Sequence, residues 1–187
     1  MQAEHVDAFL ASAFAVLSEQ AQAQPDRGSP LLRSGGIRSS RELTALVRVE
    51  GDVTAVILYS MSLATADKLR ANQRPSAGAD AERSAQDIVL QTAQAIAAGG
   101  AERLSQLGAA CQPGEDLIVC GFGELLLIAV TLLVVPIFTR YGDMDIGVAL
   151  QAQDGEHQEF GLLTAGGSRP SGLHESRSSR EREVSAA

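Results

Sequence analysis

Tryptophan is absent from this chain, and the other rings are few, with two Tyr and five Phe. So thin a supply of aromatics leaves no stacking platform for nucleic-acid bases. Lysine is almost absent as well, Lys68 being the only one. Lys and Arg together number 15 against 23 Asp and Glu, a formal charge of −8. A surface that grips nucleic acid needs clustered cations, so that class of partner is excluded. Cys111 and Cys120 are too few for a disulfide framework or a zinc cluster. Both sit in or beside apolar runs, where a free thiol behaves as a small hydrophobe. His5, His157 and His174 are isolated, with no ligand at i+3 or i+4, so no metal site is expected. No glycine-rich nucleotide loop, no G-x-S-x-G elbow and no Cys–His nucleophile pattern occurs. The first residues, MQAEHVDAFL, carry acids where a secretory leader carries positive charge. The expectation is a cytoplasmic protein.

Hydrophobic residues make up 45% of the 187 residues. That is enough to bury one core of roughly 150 residues and leave a tail. One stretch, Leu117 to Phe138, is apolar for the length of a membrane span. Glu124 inside it is costly in hydrocarbon, and Gly121, Gly123 and Pro136 interrupt it. With a turn at Gly121-Phe122-Gly123 the run becomes two buried strands, Asp116–Cys120 and Leu125–Thr139, and no membrane span is expected.

The elements follow from periodicity. Val6, Phe9, Leu10, Ala13, Phe14 and Leu17 give a helix over Glu4–Gln22 one core face. Pro25, Gly28, Pro30, Gly35 and Gly36 predict a loop. Leu43–Val49 and Val53–Ser60 alternate around Glu50-Gly51-Asp52, which predicts a hairpin. Ser62 is placed to cap a short helix over Leu63–Gln73, and 74–79 is a polar connector. A long helix over Asp80–Leu107 ends at Gly108. A second hairpin turns at Arg140–Asp143 into a last strand, Met144–Gln151. The two hairpins, VRVEGDVTAVIL and IFTRYGDMDIGVAL, share Gly-Asp at the turn; the fold repeats a hairpin or the match is chance. From Gln153 onward Ser, Gly, Arg and Glu dominate, which predicts a domain over 1–152 and a disordered tail over 153–187. Phe160, Leu162 and Leu163 form the tail's one small apolar patch.

The long helix carries the functional signal. At helical period it puts Ser84, Asp87, Gln91, Gln94, Glu102 and Ser105 on one polar stripe, with small Ala98 among them. Val89, Ala93, Ile96, Ala97, Gly100, Leu104 and Leu107 line the opposite side. A wet face showing carboxamides suits either a site that needs neutral hydrogen-bonding groups or a groove that docks another protein. It is also what a solvated face of an alanine-rich protein looks like.

In the order and spacing of these pieces the chain resembles the CheX-type chemotaxis phosphatases, the CheC/CheX/FliY-like group. The resemblance spans about residues 1 to 151. It rests on AEHVDAFLASAFAVL, on RGSPLL and the glycines after it, on EGDVTAVILYS, on AERLSQLG and on VVPIFTRYGDMDIGVAL. It implies an α+β fold, an antiparallel-rich sheet packed against two main helices, with dimerisation through sheet edges in some relatives. It implies a phosphorylated receiver domain of the CheY type as partner. In such proteins a Glu on the long helix pairs with a lysine of the receiver. An Asn three residues later orients a water for in-line attack on the aspartyl phosphate. The Mg²⁺ is the receiver's, so no cofactor of this chain's own is expected. Counting back from Leu104-Ser105-Gln106-Leu107-Gly108, the Glu falls on Gln91 and the Asn on Gln94. The small residue one turn on, usually Gly, is Ala98, and the Asn after it is Gly99.

These departures leave several readings open. Gln94 keeps the amide at the length of one more methylene, while Gln91 has lost the charge that strengthens a bond to lysine. Asp87 and Gln91, an acid and an amide at i and i+4, are a second assignment, similar in spacing to the unrelated helical phosphatase CheZ. Ser84, Ala98 and Glu102 are expected to border the contact with the partner. The expected function is action on phosphorylated receiver domains with a degenerate acid position. The alternatives are a non-catalytic receiver-binding or dimerisation module, and a structural α+β domain of an unrelated assembly.

Overall fold

A computed structural model describes residues 3–19, 22, 24–72 and 84–150. The expected tail over 153–187 and the connector over 74–79 lie outside the described residues. The chain opens with α1 (Ala3–Glu19), in which Val6, Phe9, Leu10, Ala13 and Leu17 are all buried. Two strands follow, β1 (Asp26–Arg27) and β2 (Leu31–Arg38), then the hairpin β3 (Leu43–Gly51) and β4 (Ala55–Met61). Next come α2 (Leu63–Asn72), capped by Ser62, whose Oγ accepts from the Thr65 N–H at 3.1 Å, and α3 (Ala85–Gln106). The described chain closes with β5 (Cys111–Cys120), β6 (Leu125–Thr139) and β7 (Gly142–Leu150).

Seven strands form one sheet, ordered β1-β6-β7-β4-β3-β5, with β2 also paired to β6. Every pairing is antiparallel. Both expected hairpins are present, and β4 lies against β7 at the centre. The repeat goes further than the hairpins. Each half runs helix, strand, hairpin: α1, β2, β3–β4, then α3, β5, β6–β7. The outer strand of each half is exchanged, so that β2 pairs with β6 and β5 pairs with β3.

Three expectations need correction. The segment read as a loop contains β1 and β2. It has no alternation because every residue of β2 except Ile37 is exposed; the backbone of β6 alone makes it a strand. β5 starts at Cys111, five positions before the expected Asp116. Pro113 and Gly114 read as breakers, yet β5 is an outer strand, where a proline costs no ladder bond. The long helix starts at Ala85 rather than Asp80, because Ser84 is extended at φ −70° and ψ 161° and caps it. The positions of Cys111 and Cys120 rule out a bond between them. They stand at opposite ends of one strand, roughly 30 Å apart at about 3.3 Å per residue, while a disulfide needs Cα atoms within about 7 Å; both thiols are free.

α1 and α3 cover one face of the sheet, over the inward residues of β3, β4 and β7: Ala45, Val47, Ile57, Tyr59, Ile146 and Val148. The two helices meet at a seam of small residues. A Cβ on Gly100 would collide with the Phe9 ring, and one on Gly99 with Ser12 Oγ. Ser12 Oγ in turn donates to the Ile96 carbonyl at 2.8 Å. The other face of the sheet has a smaller apolar cluster, with Ile37 of β2 over Leu46, Val56, Leu58, Leu132 and Ala149.

Both ends of α3 are chemically closed. Ser84 and Asp87 form a capping box: the Ser84 hydroxyl accepts from the Asp87 N–H at 3.2 Å. Asp87 Oδ2 accepts from the Ser84 N–H at 2.9 Å and from its hydroxyl at 2.7 Å. At the far end Gly108 takes φ +90°. Its N–H donates to the Ser105 carbonyl at 3.1 Å, and that of Ala109 to Leu104 at 3.0 Å. This is a Schellman stop, which needs the left-handed residue that glycine supplies.

Two outcomes follow from this packing. Ser84→Ala is expected to cost about 1 kcal/mol, read as a lower thermal midpoint. Tyr59 is fully buried, and its hydroxyl donates to Met144 Sδ at 3.2 Å. Burial raises its phenol above the usual value near 10, so the folded state holds the neutral form. Stability is then complete below the unfolded pKa and lost as pH rises beyond it. Denaturation curves are expected to show stability falling above about pH 10, with Tyr59→Phe flattening that fall. At neutral pH the same change costs no more than about 1 kcal/mol, because a thioether is a weak acceptor.

Candidate functional site

The stripe expected on α3 projects outward. Ser84, Asp87, Gln91, Ala98, Glu102 and Ser105 are exposed, and Gln94 is half-buried. On the opposite side Val89, Ala93, Ile96, Ala97, Gly100 and Leu104 are buried, while Leu107 is exposed at the helix cap. The helix is unbroken from Asp87 through Glu102, so Asp87, Gln91, Gln94 and Ala98 share one rigid support. Their chemical settings differ. Asp87 and Ser84 are engaged with each other in the capping box, so the Asp87 carboxylate already accepts two bonds. Ser105 Oγ is turned back onto the Ala101 carbonyl at 3.1 Å. Gln91 and Glu102 face outward.

Gln94 leans toward the outer strand. Its Nε2 donates to Asp116 Oδ2 on β5 at 2.5 Å. The register explains the encounter. Asp116 stands opposite Val47 and Ile118 opposite Ala45 in the β3–β5 ladder, and both partners are inward residues beneath the helices. By strand alternation Asp116, Ile118 and Cys120 therefore share the helix-covered side of β5. Four helical residues rise about 6 Å and two strand residues about 6.7 Å. Gln86, Leu90 and Gln94 can thus keep step with Cys120, Ile118 and Asp116. The two ends of this match are hydrogen-bonded, Gln86 Nε2 to Cys120 Sγ at 3.2 Å and Gln94 to Asp116. Leu90 and Ile118 between them pack against the core.

In the sequence Asp116 marks only the start of an expected strand; the structure adds it to the site through its bond to Gln94. Strand alternation puts Asp116 on the face of Ile118, but only the β3–β5 ladder shows that this is the face the long helix covers. What the stripe can do chemically is limited and specific. It offers two carboxamides three residues apart, one of them tied to a carboxylate, with no bulky side chain at Ala98 one turn on. Among the described residues no group of three or more His, Cys, Asp or Glu could hold a metal ion. No described helix is long and apolar enough to cross a membrane.

A separate cavity of about 70 Å³ lies on the other face of the sheet, between β2 and β7, lined in part by Arg33, Leu58, Leu132 and Asp145. Its one lining carboxylate, Asp145, is bonded to Arg41 Nε at 2.8 Å. That bond holds the Arg41 guanidinium more firmly protonated than usual. The pair ties the β2–β3 connection to the sheet.

No protein-family model matches this sequence, and no curated protein does. Solved structures do. A chemotaxis protein CheX from Desulfovibrio desulfuricans superposes with a TM-score of 0.65 at 20% identity, over 79% of this chain and 99% of that one. CheX from Vibrio vulnificus gives 0.66 at 18% identity, over 80% and 100%. CheX of Borrelia burgdorferi, in a structure of its complex with CheY, BeF₃ and Mg²⁺, gives 0.59 at 17% identity, over 81% and 100%. Nearly the whole length of each is matched by the helices and seven-stranded sheet described above, and this chain therefore has the fold of the CheX-type chemotaxis proteins.

Proposed function

We propose that this protein binds phosphorylated receiver domains through the outward face of α3 and hydrolyses their aspartyl phosphate, with Gln94 orienting the attacking water. The observation that carries the reading is the placement of Gln91 and Gln94 side by side on the solvent face of a rigid helix, in a CheX-type fold. A CheX protein of this fold has been seen in complex with CheY, BeF₃ and Mg²⁺, which supports a receiver domain as the partner here.

The chemistry asks little of the protein beyond positioning. Water attacks phosphorus in line with the acyl oxygen. The P–O bond to the receiver's aspartate breaks, its carboxylate leaves, and the water's proton passes to the phosphate product. Phosphoryl transfers of this kind depend on alignment and on charge stabilisation rather than on a strong base. The amide oxygen of Gln94 accepts a hydrogen bond from the water and holds its lone pair toward phosphorus. Gln91 contributes a neutral contact. Mg²⁺ belongs to the receiver and neutralises charge on the phosphoryl oxygens.

A second reading has its own support. Gln91 is neutral, and a neutral bond to a receiver lysine is about half as strong as one made by a carboxylate. A module that kept the docking face and lost turnover would have this composition.

Phosphate release from a phosphorylated receiver domain, followed with the full chain, tests both. Turnover is expected to exceed the receiver's own decay. Gln94→Ala is expected to lower it by about tenfold or more, and Gln91→Glu to raise it. Stable binding without any acceleration selects the binding module. An absence of both binding and acceleration overturns the receiver reading.

A further inference from the structure

We propose that Asp116 is a positioning residue for Gln94. By taking one N–H of the amide it turns the amide oxygen outward, to where an attacking water would sit. This rests on the reading of Gln94 as the water-orienting group.

The orientation of the amide follows from donor and acceptor chemistry. An ionised carboxylate has no hydrogen to give, so the group of Gln94 that faces it must be the NH₂. The bond of Gln94 Nε2 to Asp116 Oδ2, at 2.5 Å, is short and charge-assisted. With nitrogen held on the strand, Oε1 is the atom of the amide left to accept from a water. Without a tether, a glutamine presents oxygen and nitrogen alternately. Only the oxygen accepts from water while leaving the water's lone pair free for phosphorus.

Asp116 also answers the extra methylene of Gln94. A longer side chain has one more rotor to fix before it can align a reactant, and fixing it costs entropy. A bond to a strand fixes it before the partner arrives. Asp116 is held for the purpose by the β3–β5 ladder, where it faces Val47. It belongs to none of the ion pairs found among the described residues, which are Arg41–Asp145, Arg48–Glu50 and Arg70–Asp67. The acid lies 22 positions after Gln94 and reaches it from another element of the fold.

Asp116→Ala and Asp116→Asn separate the roles. In the full chain, single-turnover phosphate release at saturating phosphorylated receiver is expected to fall about tenfold or more for Asp116→Ala. The receiver concentration giving half-maximal rate should stay unchanged. Asp116→Asn loses the charge and can meet Gln94 with its own NH₂ as well as with its oxygen, so its rate is expected to fall between those of the native chain and Asp116→Ala. An independent readout is the pair of Gln94 side-chain amide protons in a ¹⁵N-correlated spectrum. They are expected to be well separated in the native chain and to converge in Asp116→Ala. A native rate in Asp116→Ala or in Asp116→Asn overturns the positioning role. If the native chain releases no phosphate, the phosphatase reading fails by itself and the spectrum decides the tether. Convergence in Asp116→Ala then supports it, and unchanged signals refute it.

Discussion

The outward face of α3 depends on how tightly its inward face is held, and that is set where α3 crosses α1. Gly99 and Gly100 let the Phe9 ring and Ser12 hydroxyl come against the helix backbone. Ser12 adds a hydrogen bond to Ile96. Close approach of this kind removes freedom of rotation about the helix axis, because packed interiors do not deform by small continuous steps. With rotation fixed, the residues half a turn away have a fixed bearing. Gln91 then faces solvent and Gln94 leans to β5. The capping box at one end and the Schellman stop at the other fix the length of the rod. A face built this way is ready to meet a rigid partner with little ordering to do on contact.

The sequence made most of this fold legible, and where it failed the reasons are physical. Helices bury one side, so Phe9 and its neighbours repeat at 3.6, while the central strands are covered on both faces and show as short β-branched apolar runs, from which Val47, Ile57 and Val148 can be placed. β2 buries almost nothing, so it left no such trace. Its identity as a strand resides in the hydrogen bonds of β6. β5 concealed its first half behind Pro113 and Gly114, residues that are disfavoured in strands except at an edge. The start of α3 is hard to place because Ser84 and Asp87 fall on the polar stripe as well as at the cap. Their spacing, Ser followed three residues later by an acid, is also the signature of a helix start.

The candidate site divides in the same way. Gln91 and Gln94 could be found by counting along one helix, since local periodicity records neighbours on the same element. Asp116 could not be joined to Gln94 by counting. The contact arises from the ladder that sets β5 beside β3 and from the near match of helical and strand rises. A carboxylate that reaches an amide from a different element leaves no mark on either segment's own pattern.

The exchanged outer strands set the order in which the molecule can be completed. β2 emerges early in synthesis, yet its partner β6 follows far behind, with Ser34 and Thr131 separated by 97 positions. β5 in turn needs β3 from the earlier half. Neither half holds a closed sheet by itself, so a ribosome that has released only the first half offers β2 nothing to pair with. Long-range pairings of this kind make for slow, all-or-none acquisition of structure. An isolated half of this chain accordingly lacks the strand with which its outer strand pairs.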